Sequence, residues 1–169
     1  PRKVVERMLE LVPVSKTDHS ILEPSAGMGA IVKGLISYGV RPNSILCVEK
    51  NSDRALKLRD FVGDVFCCDF LRFMLDGDFR KFDRIYMNPP FEELQDIDHV
   101  KHAYDLLADG GKMISVMAES AFFRSDKKSV AFREWLEEVN AYIEKLPEGS
   151  FKESGTGVNT RLVVIEKPQ

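Results

Sequence analysis

A chain of 169 residues, 44% hydrophobic and 30% charged, has the size and composition of one globular domain with a substantial core. No apolar run approaches the ~20 residues needed to span a bilayer, and no signal peptide is visible. A net charge of −3 excludes a generally basic surface, so any contact with nucleic acid must be local.

The first residue is Pro1, so the chain is expected to begin inside a longer one. Arg2 to Val12 carries apolar residues at Val4, Val5, Met8, Leu9 and Val12, a helical spacing that Pro13 stops. A short strand, residues 20–23, then runs into the small-residue loop Pro24-Ser-Ala-Gly-Met-Gly-Ala30, and residues 31–38 form the helix leaving it. Residues 44–48 are a second strand ended by Glu49, and Asn51 caps a helix reaching about Phe61. Residues 65–68 are a third strand, ended by Asp69. A fourth, 82–87, stops at Asn88-Pro89-Pro90-Phe91. A helix over 97–108, the turn Gly110-Gly111, a strand at 113–117 and a helix over 130–138 follow. The last strands, 141–146 and 162–166, have no helix between them and are expected to pair antiparallel at one edge.

Strands alternating with helices predict an α/β chain with a doubly wound, mainly parallel sheet of seven strands and an antiparallel last strand. There is no internal repeat, low-complexity tract or domain boundary, so residues 1–169 read as a single domain. Cys47, Cys67 and Cys68 all fall in predicted strands, which suggests buried thiols. Their spacing matches neither a disulfide framework nor a zinc site, and a reducing, cytoplasmic setting follows.

In such a sheet, ligands sit beyond the carboxyl ends of the strands. Four consecutive strands end here in an acid or amide: Glu23, Glu49, Asp69 and Asn88. Gly27 and Gly29 follow the first, where backbone must come close to something. With Val32 where a third glycine would stand, this is not the dinucleotide fingerprint, and a pyrophosphate cradle is disfavoured. Glu49 is placed to take a ribose diol, and Asp69-Phe70 offers an acceptor and a ring to an adenine. At the fourth strand end, proline biases Asn88 and Pro89 toward extended backbone. The Asn88 amide oxygen, the Pro89 carbonyl and the Phe91 face can then grip a flat exocyclic amine. Accepting both its hydrogens frees the nitrogen lone pair for attack.

These residues, in this order and spacing, resemble the class I S-adenosylmethionine (SAM)-dependent methyltransferases of the adenine-N6 type. The closing segment Ser150-Phe-Lys-Glu-Ser-Gly-Thr-Gly-Val-Asn-Thr160 is similar to that of phage- and plasmid-borne adenine-specific DNA methyltransferases. The likeness covers nearly the whole chain. It implies a Rossmann-like methyltransferase fold with no separate target-recognition domain, SAM as cofactor, and nucleic acid, DNA ahead of RNA, as partner. Glu23, Ser25, Gly27 and Gly29 would face the amino-acid end of SAM, Glu49 its ribose, and Asp69 with Phe70 its adenine. Pro1 stands where the family has a Thr-Pro touching the cofactor. Asn88 and Pro89 would hold the target amine, Pro90 would border the substrate, and Phe91 would stack on the base, with Phe151 covering its other face. Relatives with the same tetrapeptide methylate guanine N2 in RNA or glutamine in proteins, and a catalytically silent SAM-binding subunit is a further alternative.

Other groups read less sharply. Asp96, Asp98, His99 and His102 are ordinary helix-start residues, and no metal is expected from their spacing. A substrate-side role is open for His99. Arg124, Lys127, Lys128, Arg133, Lys152 and Arg161 are the best local candidates for phosphate contacts, a solvated helix face being the alternative, and Trp135 reads as core.

Overall fold

The computed structural model describes residues 1–15, 20–75 and 80–169. Seven strands form one sheet: β1 (Ile21–Glu23), β2 (Ile45–Val48), β3 (Asp64–Phe66), β4 (Phe82–Met87), β5 (Leu107–Ala118), β6 (Tyr142–Lys145) and β7 (Thr160–Glu166). Their order is β3-β2-β1-β4-β5-β7-β6. β7 runs antiparallel between β5 and β6, and the pairs from β3 through β5 are parallel.

Alternation along each strand divides the core in two. Ile21, Ile45, Cys47, Tyr86 and Ile114 face α1 (Arg2–Leu11), α2 (Ala30–Ser37) and α3 (Ser52–Leu58). Leu22, Val48, Ile85, Met87 and Met113 face α4 (Gln95–Leu106) and α6 (Lys127–Glu138). The central strands are therefore apolar on both sides and read as continuous hydrophobic runs, whereas β3 and β6 at the edges are largely exposed. Gly34 lets α1 lie close on α2, since a Cβ there would come within 2.5 Å of Val5 Cγ1.

Several boundaries differ from the sequence reading. β3 ends at Phe66, so Cys67 is exposed and Cys68 half-buried; only Cys47 is a buried thiol. The pair Gly110-Gly111 does not precede β5 but lies inside it. Gly110, at φ +77°, donates its N–H to Lys167 and breaks the register, which jumps from Phe82–Leu107 to Arg84–Lys112. The last helix begins at Lys127 because the Asp126 carboxylate caps it, accepting from the Ser129 N–H and hydroxyl. An unanticipated turn of helix, α5 (Ser120–Phe123), precedes it. Trp135 is half-buried, edge-on to Tyr104 at 5.3 Å, rather than full core.

Candidate active site

Strand order reverses between β1 and β4, so the loops leaving these two strands part to opposite faces and open a crevice at their carboxyl ends. A cavity of about 630 Å³ lies there, within the size range of small-molecule sites. Glu23, the last residue of β1, is 1% exposed and lines it. Its Oε2 has no hydrogen-bond partner, and burial, helped by the nearby Glu49 charge, pushes its carboxyl well above the usual range. The Ser25 backbone works the other way, bonding the charged form. A buried acid with one oxygen left unpartnered in the cavity lining is suited to a cationic ligand.

The glycine loop owes its shape chiefly to backbone conformation. Gly27 and Gly29 sit at φ +54° and +87°, where a side chain would be strained. Gly27 lines the cavity and donates its N–H to Glu49 Oε1 at 2.9 Å. Gly29 does not line it; it starts α2, and a Cβ there would press on Leu58 at 3.1 Å. Glu49 Oε2 accepts from the Asn51 N–H at 2.8 Å, so its carboxylate is fixed from both sides at the end of β2. Asp69 is exposed with Oδ1 bound to the Leu71 N–H, and Phe70 is 2% exposed. Both border the cavity, although β3 has ended three residues earlier.

Asn88, Pro89, Pro90 and Phe91 form the wall next to β1, and Phe151 joins them from the segment before β7. Asn88 is exposed, while Pro89 and Phe151 are buried. Two anchors hold this wall. The Tyr86 hydroxyl donates to the Val12 carbonyl at 2.7 Å, tying β4 to the end of α1. Asp96, fully buried, accepts from the N–H groups of Ile97 and Ala118 and so ties the start of α4 to the end of β5. Between wall and helix, Glu93 and Leu94 stand at φ +54° and +59°, a costly conformation for residues with a Cβ, typical of functional loops.

Pro1, which precedes α1, and Val4, Val5 and Met8 of α1 also line the cavity. So do His99, for which the sequence leaves a substrate-side role open, and Gln95, which the sequence reading does not assign; their spacing of four on α4 places them on one face. His99 packs against Phe70 at 5.5 Å with its Nδ1 unpartnered, and burial lowers its pKa. His102 instead bonds the Phe73 carbonyl at 2.7 Å. Among the described residues, no group of three or more His, Cys, Asp or Glu is placed to hold a metal ion.

Arg124, Lys127 and Lys128 do not line the cavity; Arg124 follows α5, and the two lysines open α6. Arg124 pairs with Asp126 at 3.0 Å and Lys128 with Asp98 at 2.7 Å. Arg161 makes two contacts to the Glu119 carboxylate.

By sequence the chain matches no family model and no curated protein. By structure it is similar to the M protein of the type I restriction enzyme EcoKI, with a TM-score of 0.78 and 16% identity over 100% of this chain and 44% of that one. A chain from a type I R-M system complex aligns at 0.77 and 21% identity, over 99% of this chain and 42% of that one. The fold is that of SAM-dependent methyltransferases. An RNA methyltransferase from Salinibacter ruber, in complex with S-adenosyl-L-homocysteine, shares the methyltransferase fold at a TM-score of 0.59 and 16% identity, over 100% of this chain and 93% of that one. The chain thus spans less than half the length of the two restriction-system proteins it matches. Among the described residues no helix is long and apolar enough to cross a membrane.

Proposed function

We propose that the chain transfers a methyl group from SAM to the exocyclic N6 of adenine in nucleic acid, with DNA as the favoured substrate. One observation carries this reading: the segment Asn88–Phe91 and the buried acid Glu23, with its Oε2 unpartnered, line the same cavity.

The residues present fit the cofactor. Glu23, with the loop Ser25–Gly27, would hold its charged amino-acid end. The Glu49 carboxylate, already oriented by two N–H groups, retains acceptor capacity for the ribose hydroxyls. Asp69 and Phe70 would take the adenine. Bound there, SAM supplies an electrophilic methyl on a sulfonium centre.

Asn88 and Pro89 would each accept one hydrogen of the target amine while Phe91 and Phe151 pack against its ring. Withdrawn from conjugation by Asn88 and Pro89, the nitrogen lone pair would be free to take the methyl that the bound cofactor would supply. The methylated nitrogen then releases a proton to water, so a general base is not required. Rate enhancement comes largely from orientation. A target base has to leave its stack to reach this cavity, or come from a single strand. A cytoplasmic setting belongs to the same reading.

An RNA methyltransferase is the second reading, since the same fold occurs in the Salinibacter enzyme. Incubation with tritiated SAM and separate pools of DNA, RNA and protein, followed by nucleoside analysis, tests both. N6-methyldeoxyadenosine is expected; label confined to guanosine or to protein would overturn the proposal.

A further inference from the structure

β5 outlasts its neighbour. Met87, the last residue of β4, pairs with Ser115, whereas β5 continues to Ala118. The turn α5 follows on the same carboxyl edge of the sheet as Asn88. Strand and helix rise place Phe123 within roughly 20 Å of Asn88, a span of a few nucleotides.

A helical turn of four residues has no stability of its own, and this one is braced from several sides. Ala121 is fully buried. The Phe122 ring lies 4.4 Å from the guanidinium carbon of Arg161, which Glu119 holds. Arg133 donates to the carbonyls of Ala121 and Arg124 at 2.9 and 2.8 Å, satisfying the end of the turn. Phe123 alone is left outside, 70% exposed.

The surroundings indicate what a ring held out in this way would meet. A protein partner would call for a contiguous apolar patch. The residues after Phe123 are instead Arg124, Ser125, Asp126, Lys127 and Lys128, and the side chain of Arg124 is 52% exposed. An isolated exposed ring, beside an exposed Lys127 and an Arg124 that stays half-exposed although paired with Asp126, fits a polynucleotide, whose bases stack on rings while its phosphates lie near the cations.

We propose that Phe123 is a base-stacking contact for the nucleic-acid strand that carries the target amine. This rests on the nucleic-acid reading above. The test uses a fluorescently labelled single-stranded oligodeoxynucleotide of roughly a dozen nucleotides, within the site sizes of single-strand binders. Binding is followed by anisotropy and methylation by label transfer, for wild type, Phe123→Ala and Phe123→Tyr. Phe123→Ala is expected to raise both the dissociation constant and KM by roughly 5- to 150-fold, the range that one stacked base supports. SAM affinity and melting temperature should stay unchanged, because the ring touches neither cofactor nor core. Phe123→Tyr should bind within about threefold of wild type, since it keeps the stacking ring. If wild type binds and methylates the strand and Phe123→Ala does so equally well, the stacking role is wrong and the methyltransferase reading stands. Failure of wild type to bind or methylate any oligonucleotide would sink both. Loss of SAM binding or of folding in Phe123→Ala would make the residue structural and also overturn the proposal.

Discussion

Glu23 and Asn88 occupy neighbouring strand ends, yet they face opposite physical demands. Glu23 is buried beside another acid, so its folded pKa lies above the unfolded value of about 4.3. The folded state therefore holds that proton more tightly, and the group costs stability as pH rises from about 4.3 toward the folded pKa. Glu23→Gln should raise the urea midpoint at neutral pH and leave it nearly unchanged near pH 4. Gln can still accept from the Ser25 backbone but no longer carries the buried charge. The same change should weaken SAM binding by roughly tenfold or more, as expected when a charged hydrogen bond is lost. It should also flatten a wild-type affinity that grows with pH; calorimetry across pH checks both effects. Asn88 is exposed and is assigned to the target amine rather than to the cofactor. Asn88→Ala should therefore collapse kcat by roughly a hundredfold or more while SAM affinity stays within a few-fold. Full turnover by this variant, in a steady-state label-transfer assay, would move the chemistry elsewhere.

The elements bearing the site are held by a few polar bonds between segments distant in sequence. Asp96 is the clearest: its two oxygens satisfy the N–H groups of Ile97 and Ala118, 22 residues separating it from the latter. Removing the side chain strands two buried donors, each worth about 1–3 kcal/mol. Asp96→Ala should thus lower stability by roughly 2–4 kcal/mol in urea denaturation, and Asp96→Asn, which keeps one acceptor, by about half of that. A loss below roughly 0.5 kcal/mol, the level of an ordinary surface change, would show that water replaces the carboxylate. The left-handed pair Glu93–Leu94 depends on this anchoring, because nothing in its local sequence favours φ > 0. Leu94, 8% exposed, helps hold it through burial.

For the whole molecule, the distribution of charge decides more than its sum. Of the basic residues proposed for phosphate contact, Arg124, Lys128 and Arg161 each face an acid, which offsets their pull on a polyanion. The stretches available for reading base edges, residues 92–96 and 120–129, are mostly helical, and only 124–126 lie outside a helix. Duplex DNA should consequently bind with a dissociation constant in the non-specific range, ~10⁻⁴–10⁻⁶ M at physiological salt, and more weakly as salt rises. Methylation sequencing on random DNA should return a relaxed motif, strong specificity being left to a partner or flanking sequence. A tight complex with one site of roughly five base pairs or more, detected by gel shift, would refute this, because such selectivity needs base-edge contacts in a groove.

The seven strands, their mainly parallel order and the strand-end residues Glu23, Glu49 and Asn88 were all legible in the sequence. Continuous apolar runs ending in acid, amide or proline are local patterns, and strands buried on both faces write them directly. Local pattern did not reveal which cations are neutralised, since Lys128–Asp98 and Arg161–Glu119 join residues 30 and 42 apart. It likewise missed that Gly110 kinks β5 rather than preceding it, a consequence of pairing with Lys167 far along the chain. Neither α5 nor the exposure of Phe123 could be read, because four residues carry too little periodicity and are held by Arg133 from another helix. Sequence specified the strand ends and their chemistry; the choice of which ends stand side by side, and so share one cavity, came from the crossover between β1 and β4. That adjacency is a property of topology, which no stretch of chain encodes alone.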